Sequence, residues 1–263
     1  YCPIDDDMPA EIYGLIRRAD LVVAATPVFF YNMSAQLKGV IDRCQTFWAR
    51  KYRMRWRDPR LKTKKGYLLS VAATRGNNLF DAIHLTMQYF YDAIDADYAG
   101  HLTYRGIEGP KDMARHASVG EDVQRAVAGL LSPLSDRKRL LIVGPSGTCA
   151  TQIAAALVRS RAGERFDVRV GANRPGAHVN ALAVKAMAAR GWDIAYEVPV
   201  ATEQAMDQWR PDLVVGMGLT ADALPDAGGT LIRWDLSDTL PDSLDDATHL
   251  CDLIDEKAAA LVH

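Results

Sequence analysis

Hydrophobic and polar positions follow one another along this chain in two rhythms. Short unbroken apolar runs predict buried strands, and longer stretches with apolar residues three and four apart predict helices. The first run is Leu21-Val22-Val23-Ala24-Ala25. Before it, Asp5-Asp6-Asp7 and Pro9 form a helix-start signal, with Met8, Ile12, Leu15 and Ile16 as the expected buried face. After it, the spacing predicts a helix burying Leu37, Val40, Ile41, Cys44, Phe47 and Trp48. A strand over Tyr67 to Ala72 follows, then a helix from about Leu79 to Ile94, a strand near His101 to Tyr104 and a helix ending near Leu131. Ser132-Pro133-Leu134-Ser135-Asp136 interrupts the pattern as a linker. Beyond it the alternation resumes: a strand at Leu140 to Val143, a helix at Gln152 to Ser160, a strand at Phe166 to Val170 and a helix at Val179 to Ala189. Strands at Asp212 to Val215 and Leu231 to Trp234 precede a closing helix bearing Leu250, Ile254, Ala258 and Leu261. Such alternation predicts an α/β fold with parallel sheets in two three-layer α/β/α units, residues 1–131 and 138–263, joined by a linker at 132–137.

Composition changes this picture little. At 263 residues, 49% hydrophobic and 24% charged, the chain can bury a sizeable core in two ordinary domains. A net charge of −2 gives no overall attraction to nucleic acid or an acidic membrane, so neither is expected as a partner. No apolar run reaches bilayer-spanning length and no signal peptide is visible. Cysteines at 2, 44, 149 and 251 form no close pair, which argues against a disulfide framework or a zinc site. A reducing cytoplasm fits this usage. Cys44 and Cys251 lie on apolar faces and are expected in the core. The basic run from Arg50 to Lys65, interleaved with Tyr52 and Trp56, is expected to be a solvated loop.

Candidate chemistry gathers where the first strand ends. Thr26-Pro27-Val28-Phe29-Phe30-Tyr31-Asn32 is a Pro-aromatic loop leading into a helix, and Ala73-Thr74-Arg75-Gly76-Asn77 follows the second strand. In open α/β sheets ligands sit at the carboxyl ends of strands. Thr26-Pro27-Val28-Phe29-Phe30 with Ala35, Leu37-Lys38 and Ile41-Asp42-Arg43 resembles the flavodoxin-like NADPH-dependent FMN reductase and iron–sulfur flavoprotein families. The resemblance implies FMN held by the two loops, NAD(P)H as electron donor, a small-molecule or protein acceptor, and a homodimer. It covers roughly residues 1–130, without the first strand and Ser/Thr/Gly-rich phosphate loop of such proteins. Cys2 stands where the iron–sulfur relatives end a cysteine cluster, and one thiol cannot hold a cluster.

The second half carries another likeness. Leu141 to Leu157, then Phe166-Asp167-Val168-Arg169, Pro175-Gly176 and Val179 to Val184, resembles the low-molecular-weight protein tyrosine phosphatase and arsenate reductase family. That family uses a Cys and, six positions on, an Arg around an anion loop. Here Gly144 and Ala150 stand at those positions, and the loop reads Pro145-Ser146-Gly147-Thr148-Cys149-Ala150-Thr151. The family's late acid has Asp238 as its nearest match, followed by Thr239 rather than Pro. Phosphatase chemistry is therefore not expected. Two functional readings stay open: a flavin-dependent oxidoreductase, or a non-catalytic protein sensing an anion or nucleotide.

Overall fold

The computed structural model describes residues 6–220, 223–225, 228–236 and 240–262. Cys2, Asp5, Asp238 and Thr239 lie outside them. The chain forms two compact units: Tyr1–Arg55 with Thr63–Ser135, and Trp56–Lys62 with Asp136–His263.

In the first unit a π-helical turn, Met8–Ile12, runs into α1 (Tyr13–Arg18). Three parallel strands follow in the order β1 (Leu21–Pro27), β2 (Lys65–Ala72) and β3 (Asp97–Arg105). Thr26 is level with Ser70, and Ala72 with Arg105. The carboxyl ends of all three strands therefore share one edge. Between β1 and β2 lie α2 (Ala35–Arg43), the short α3 (Gln45–Trp48) and a second π-helical turn, Ala49–Arg53. Then come α4 (Asp81–Ala93) after β2, and α5 (Pro110–Arg115) and α6 (Val119–Ser135) after β3.

Three expectations are corrected here. The π-turn adds a residue to its turn and shifts the helical phase, so Tyr13 and Ile16 are buried while Leu15 is 57% exposed. The helix after β1 breaks at Cys44, which resets its face. Cys44 and Phe47 point into the core, and Val40 and Trp48 are exposed. Residues 132–135, expected as linker, are the last turn of α6, with Pro133 inside the helix.

The basic run is solvated only in part, with Arg53 and Arg55 exposed. Lys64 is fully buried, its Nζ donating to the Ile16 and Arg17 carbonyls at 3.1 and 2.8 Å and so capping the negative end of α1. Residues 56–62 belong to the second unit. Arg57 trades backbone hydrogen bonds with Gly191 and Asp193, and Arg60 is buried against Glu197, Nη1 to Oε1 at 2.5 Å. Arg159 closes the buried triad from the other side, 3.2 Å from Glu197 Oε2.

The second unit is a four-stranded parallel sheet in the order β5-β4-β6-β7, with β4 Lys138–Gly144, β5 Phe166–Ala172, β6 Leu213–Met217 and β7 Thr230–Trp234. Four described helices go with it: α7 (Ala150–Ala162), α8 (Ala181–Ala189), α9 (Thr202–Ala205) and α10 (Leu244–Val262). Successive side chains of a strand face opposite ways, and β4 shows it. Leu140 and Ile142 join a large core with α7, α8 and α10, whereas Leu141 and Val143 join a smaller one around Trp209. Cys251 is buried in the stripe Ala247, Cys251, Ile254 and Ala258 of α10, as Cys44 is buried in the first unit. Among the described residues no helix is long and apolar enough to cross a membrane, and no three His, Cys, Asp or Glu side chains gather into a metal site.

Candidate functional site

The loop after β1 is built from beneath by polar contacts and presents aromatic rings above. Thr26 is buried, its hydroxyl accepting from the Ser34 amide and donating to the Pro27 carbonyl. Pro27 closes β1, and the Val28 amide then donates to the Val71 carbonyl at 2.9 Å, tying the loop to β2. Val28 packs on Ala72, Leu79 and Phe80. Ser34 caps α2 by accepting from the Leu37 amide.

Phe29 and Asn32 exchange two backbone hydrogen bonds, at 2.8 and 3.0 Å, around a two-residue turn. Its central residues, Phe30 and Tyr31, both hold positive φ, +48° and +63°. A turn of this shape favours Asn and Gly, because an L side chain in the left-handed region costs about 1–2 kcal/mol. Here two aromatics occupy it. Phe29 and Tyr31 are more than half exposed and Phe30 wholly so. Strain of this kind concentrates at functional sites.

The loop after β2 meets this turn. A Cβ at Gly76 would lie 2.8 Å from Tyr31 Oη, so glycine is what lets the two loops close on each other. Among the described residues, the backbone N–H groups of Thr74, Arg75, Gly76 and Asn77 donate to no acceptor. Arg75 lies against Gly106 at the end of β3, and Arg105 lies over the Phe80 ring at 5.7 Å. Neither guanidinium has a carboxylate partner among the described residues. The edge is thus aromatic on one side, rich in unused amides on the other, and positive behind. Sequence reasoning missed Arg105 and Gly106, whose only signal is their place at the end of the neighbouring strand.

Those features fit the ring of a flavin, which takes aromatic or apolar contacts on its faces and amide hydrogen bonds along its polar edge. All seven residues from Thr26 to Asn32 and all five from Ala73 to Asn77 lie on this edge of the sheet. Thr26 and Val28 support it from within.

In the second unit the loop from Pro145 to Cys149 sits where the strand order reverses, between β4 and its neighbours β5 and β6. Such a switch point opens a crevice. Its carbonyls are occupied: Pro145 accepts from the Arg174 amide, Ser146 from Gly176, Gly147 from Gln152 Nε2 and Thr148 from Asn180. The Ser146 and Thr148 hydroxyls pair at 2.9 Å. Among the described residues the amides of Ser146, Gly147, Thr148 and Ala150 donate to nothing, and Thr151 Oγ1 is buried without a partner. Cys149 is buried at the start of α7. At Gly144 a Cβ would lie 2.7 Å from Thr151 Cγ2, so the space for a side chain there is already filled.

Residues 1–97 match the family model of the NADPH-dependent FMN reductases. The chain is 41% identical over 75 residues to an iron-sulfur flavoprotein of Methanosarcina thermophila, 28% of this chain and 35% of that protein. It is 45% identical over 51 residues to an iron-sulfur flavoprotein of Archaeoglobus fulgidus, 19% and 26% of the two lengths. The matches therefore span a minor part of each curated relative. Among solved structures, Vibrio vulnificus Wzb in complex with benzylphosphonate is similar at 20% identity and a TM-score of 0.42, over 47% of this chain and 96% of that one. The arsenate reductase of Archaeoglobus fulgidus is similar at 20% identity and a TM-score of 0.41, over 47% and 98%. On the sequence side, what this chain is similar to at its N-terminal end is the NADPH-dependent FMN reductase family.

Proposed function

We propose that the first unit holds the ring of FMN and serves an NAD(P)H-dependent oxidoreductase that passes electrons to a small-molecule or protein acceptor. The observation that carries this reading is the meeting of the Phe29–Asn32 turn with the Thr74–Asn77 amides at the carboxyl ends of two adjacent strands. When bound, the flavin supplies the redox chemistry, taking up hydride and releasing electrons. The chain's own residues do the rest. Phe29 and Tyr31 cover a ring face and keep water from it, the amides of residues 74–77 orient its polar edge, and Arg75 and Arg105 favour negative charge beside it. The similarity of residues 1–97 to FMN reductases supports the same cofactor.

The test is the absorption spectrum of the purified protein, followed by titration with FMN and then NADPH. Flavin bands, or saturable FMN uptake with loss of colour on adding NADPH, are the expected results. A colourless protein that takes up no FMN overturns the reading.

For the second unit the unused amides at residues 146–150 favour binding of an oxyanion without turnover. Gly144 offers no nucleophile and Ala150 no charge to neutralise a phosphoryl transition state.

A further inference from the structure

The second unit contains a cavity of about 710 Å³ that neither loop site uses. It lies at the opposite end of the sheet from the Pro145–Cys149 loop, between the last turns of α7 and α10 and the residues that lead into β5, Glu164 and Arg165. Its volume falls in the range of small-molecule sites. Lys62, Arg161, Arg165 and Arg190 line it together with Glu164 and Asp255. Trp192 forms one wall, and Leu157, Ala259 and Val262 add apolar surface.

The ion pairs show which cations have capacity left. Arg161 is committed to Asp255, Nη2 to Oδ1 at 2.6 Å, and Arg190 pairs with Asp252 just outside the lining. Arg165 caps α10 through the Val262 carbonyl at 2.5 Å. Among the described residues Lys62 is held only by a long hydrogen bond to the Arg161 carbonyl, 3.4 Å, and its flexible stem lets the ammonium turn into the cavity. Arg190 spends Nη2 on Asp252 and the Thr248 carbonyl, and its Nη1 has no acceptor among the described residues. An anion placed between that guanidinium and Lys62 gains charge-assisted hydrogen bonds from both.

We propose that this cavity binds a small organic phosphate bearing a planar ring, of mononucleotide size, with the phosphate between Lys62 and Arg190 and the ring against Trp192. Net positive lining, one loosely held ammonium, one guanidinium nitrogen without an acceptor among the described residues and an indole wall are what such a ligand requires. The lining shares no residue with the loops after β1 and β2, so the proposal does not rest on the flavin reading.

Isothermal titration of the full chain with AMP, adenosine and inorganic phosphate tests this. Saturable AMP binding is expected, with adenosine at least about tenfold weaker, since the phosphate contacts are charge-assisted. Lys62→Ala breaks no ion pair and should weaken AMP about tenfold with the thermal transition unchanged, while Lys62→Arg retains binding. Tyr31→Ala in the first unit should leave AMP affinity unchanged. The proposal is overturned by absence of saturable AMP binding at millimolar concentration. It is equally overturned by adenosine binding as tightly as AMP, or by an AMP affinity that responds to Tyr31→Ala and not to Lys62→Ala.

Discussion

Replacing Phe30 with Asn separates what the aromatic turn does for folding from what it does for function. Phe30 sits at φ +48° and is 102% exposed, so truncating its ring forfeits no buried surface. Asn tolerates the left-handed region, and relief of the backbone penalty is worth about 1 kcal/mol. For a protein of this size that raises the melting temperature by roughly 2–4 °C. Tyr31 is different: at 51% exposure it buries about half its ring, so Tyr31→Gly loses in contact much of what it gains in conformation. The single Phe30→Asn variant is therefore the clean one. Scanning calorimetry of the flavin-free protein reads the stability, and an FMN titration reads the site. The expected pair of results is a higher melting temperature and FMN binding weakened about tenfold, the worth of one aromatic face contact plus its area. A lower melting temperature would show that the turn is not strained. Unchanged FMN affinity would remove Phe30 from the site.

Other perturbations probe the same architecture. Gly76→Val drives a side chain into Tyr31 Oη, 2.8 Å from the Cβ position, and should abolish FMN uptake while far-ultraviolet circular dichroism stays unchanged. For Glu197, burial pushes the carboxyl pKa up, but the charges and hydrogen bonds of Arg60 and Arg159 outweigh it and hold it well below the ordinary 4.5. Because the folded pKa is the lower one, its contribution is present above 4.5 and is lost as pH falls below that value. Glu197→Gln should cost about 3 kcal/mol at neutral pH in denaturant titrations and flatten the acid dependence. The protein should hydrolyse no aryl phosphate, and Gly144→Cys, meeting Thr151 Cγ2 at 2.7 Å, should destabilise it by about 1–3 kcal/mol. Cys149 is buried, so Cys149→Ser should leave NADPH oxidation intact, and a large fall with flavin content unchanged would place the thiol on the electron path.

Much of this molecule is legible in the residues themselves. Leu140 to Val143 is an apolar run that only a doubly covered strand tolerates, and the structure buries it on both faces. The loops after Ala25 and Ala72 could be set side by side because both follow strands of one sheet. What was hidden is of two kinds. Phase shifts come from geometry that no single residue announces: the π-turn at Met8–Ile12 moves Leu15 outward, and the break at Cys44 moves Val40. Burial of charge is hidden because the partner is remote. Lys64 reads as solvated until the carbonyls of residues 16 and 17, over forty positions earlier, come to it, and Arg60 until Glu197 does. The positive φ of Phe30 and Tyr31 is similarly unreadable, since aromatics do not advertise a left-handed turn.

The route of the chain has a practical consequence. It passes from one unit to the other after Arg55, Lys62 and Ser135. A gene cut at 135 therefore does not yield two self-sufficient pieces. The N-terminal piece carries off Arg60, leaving Glu197 buried with Arg159 and short of its other guanidinium. The same cut, however, creates a complementation pair. The fragment 1–135 brings residues 56–62, a peptide already shaped to fill a gap in the other fragment, and mixing the two halves should rebuild the interrupted unit without a covalent link.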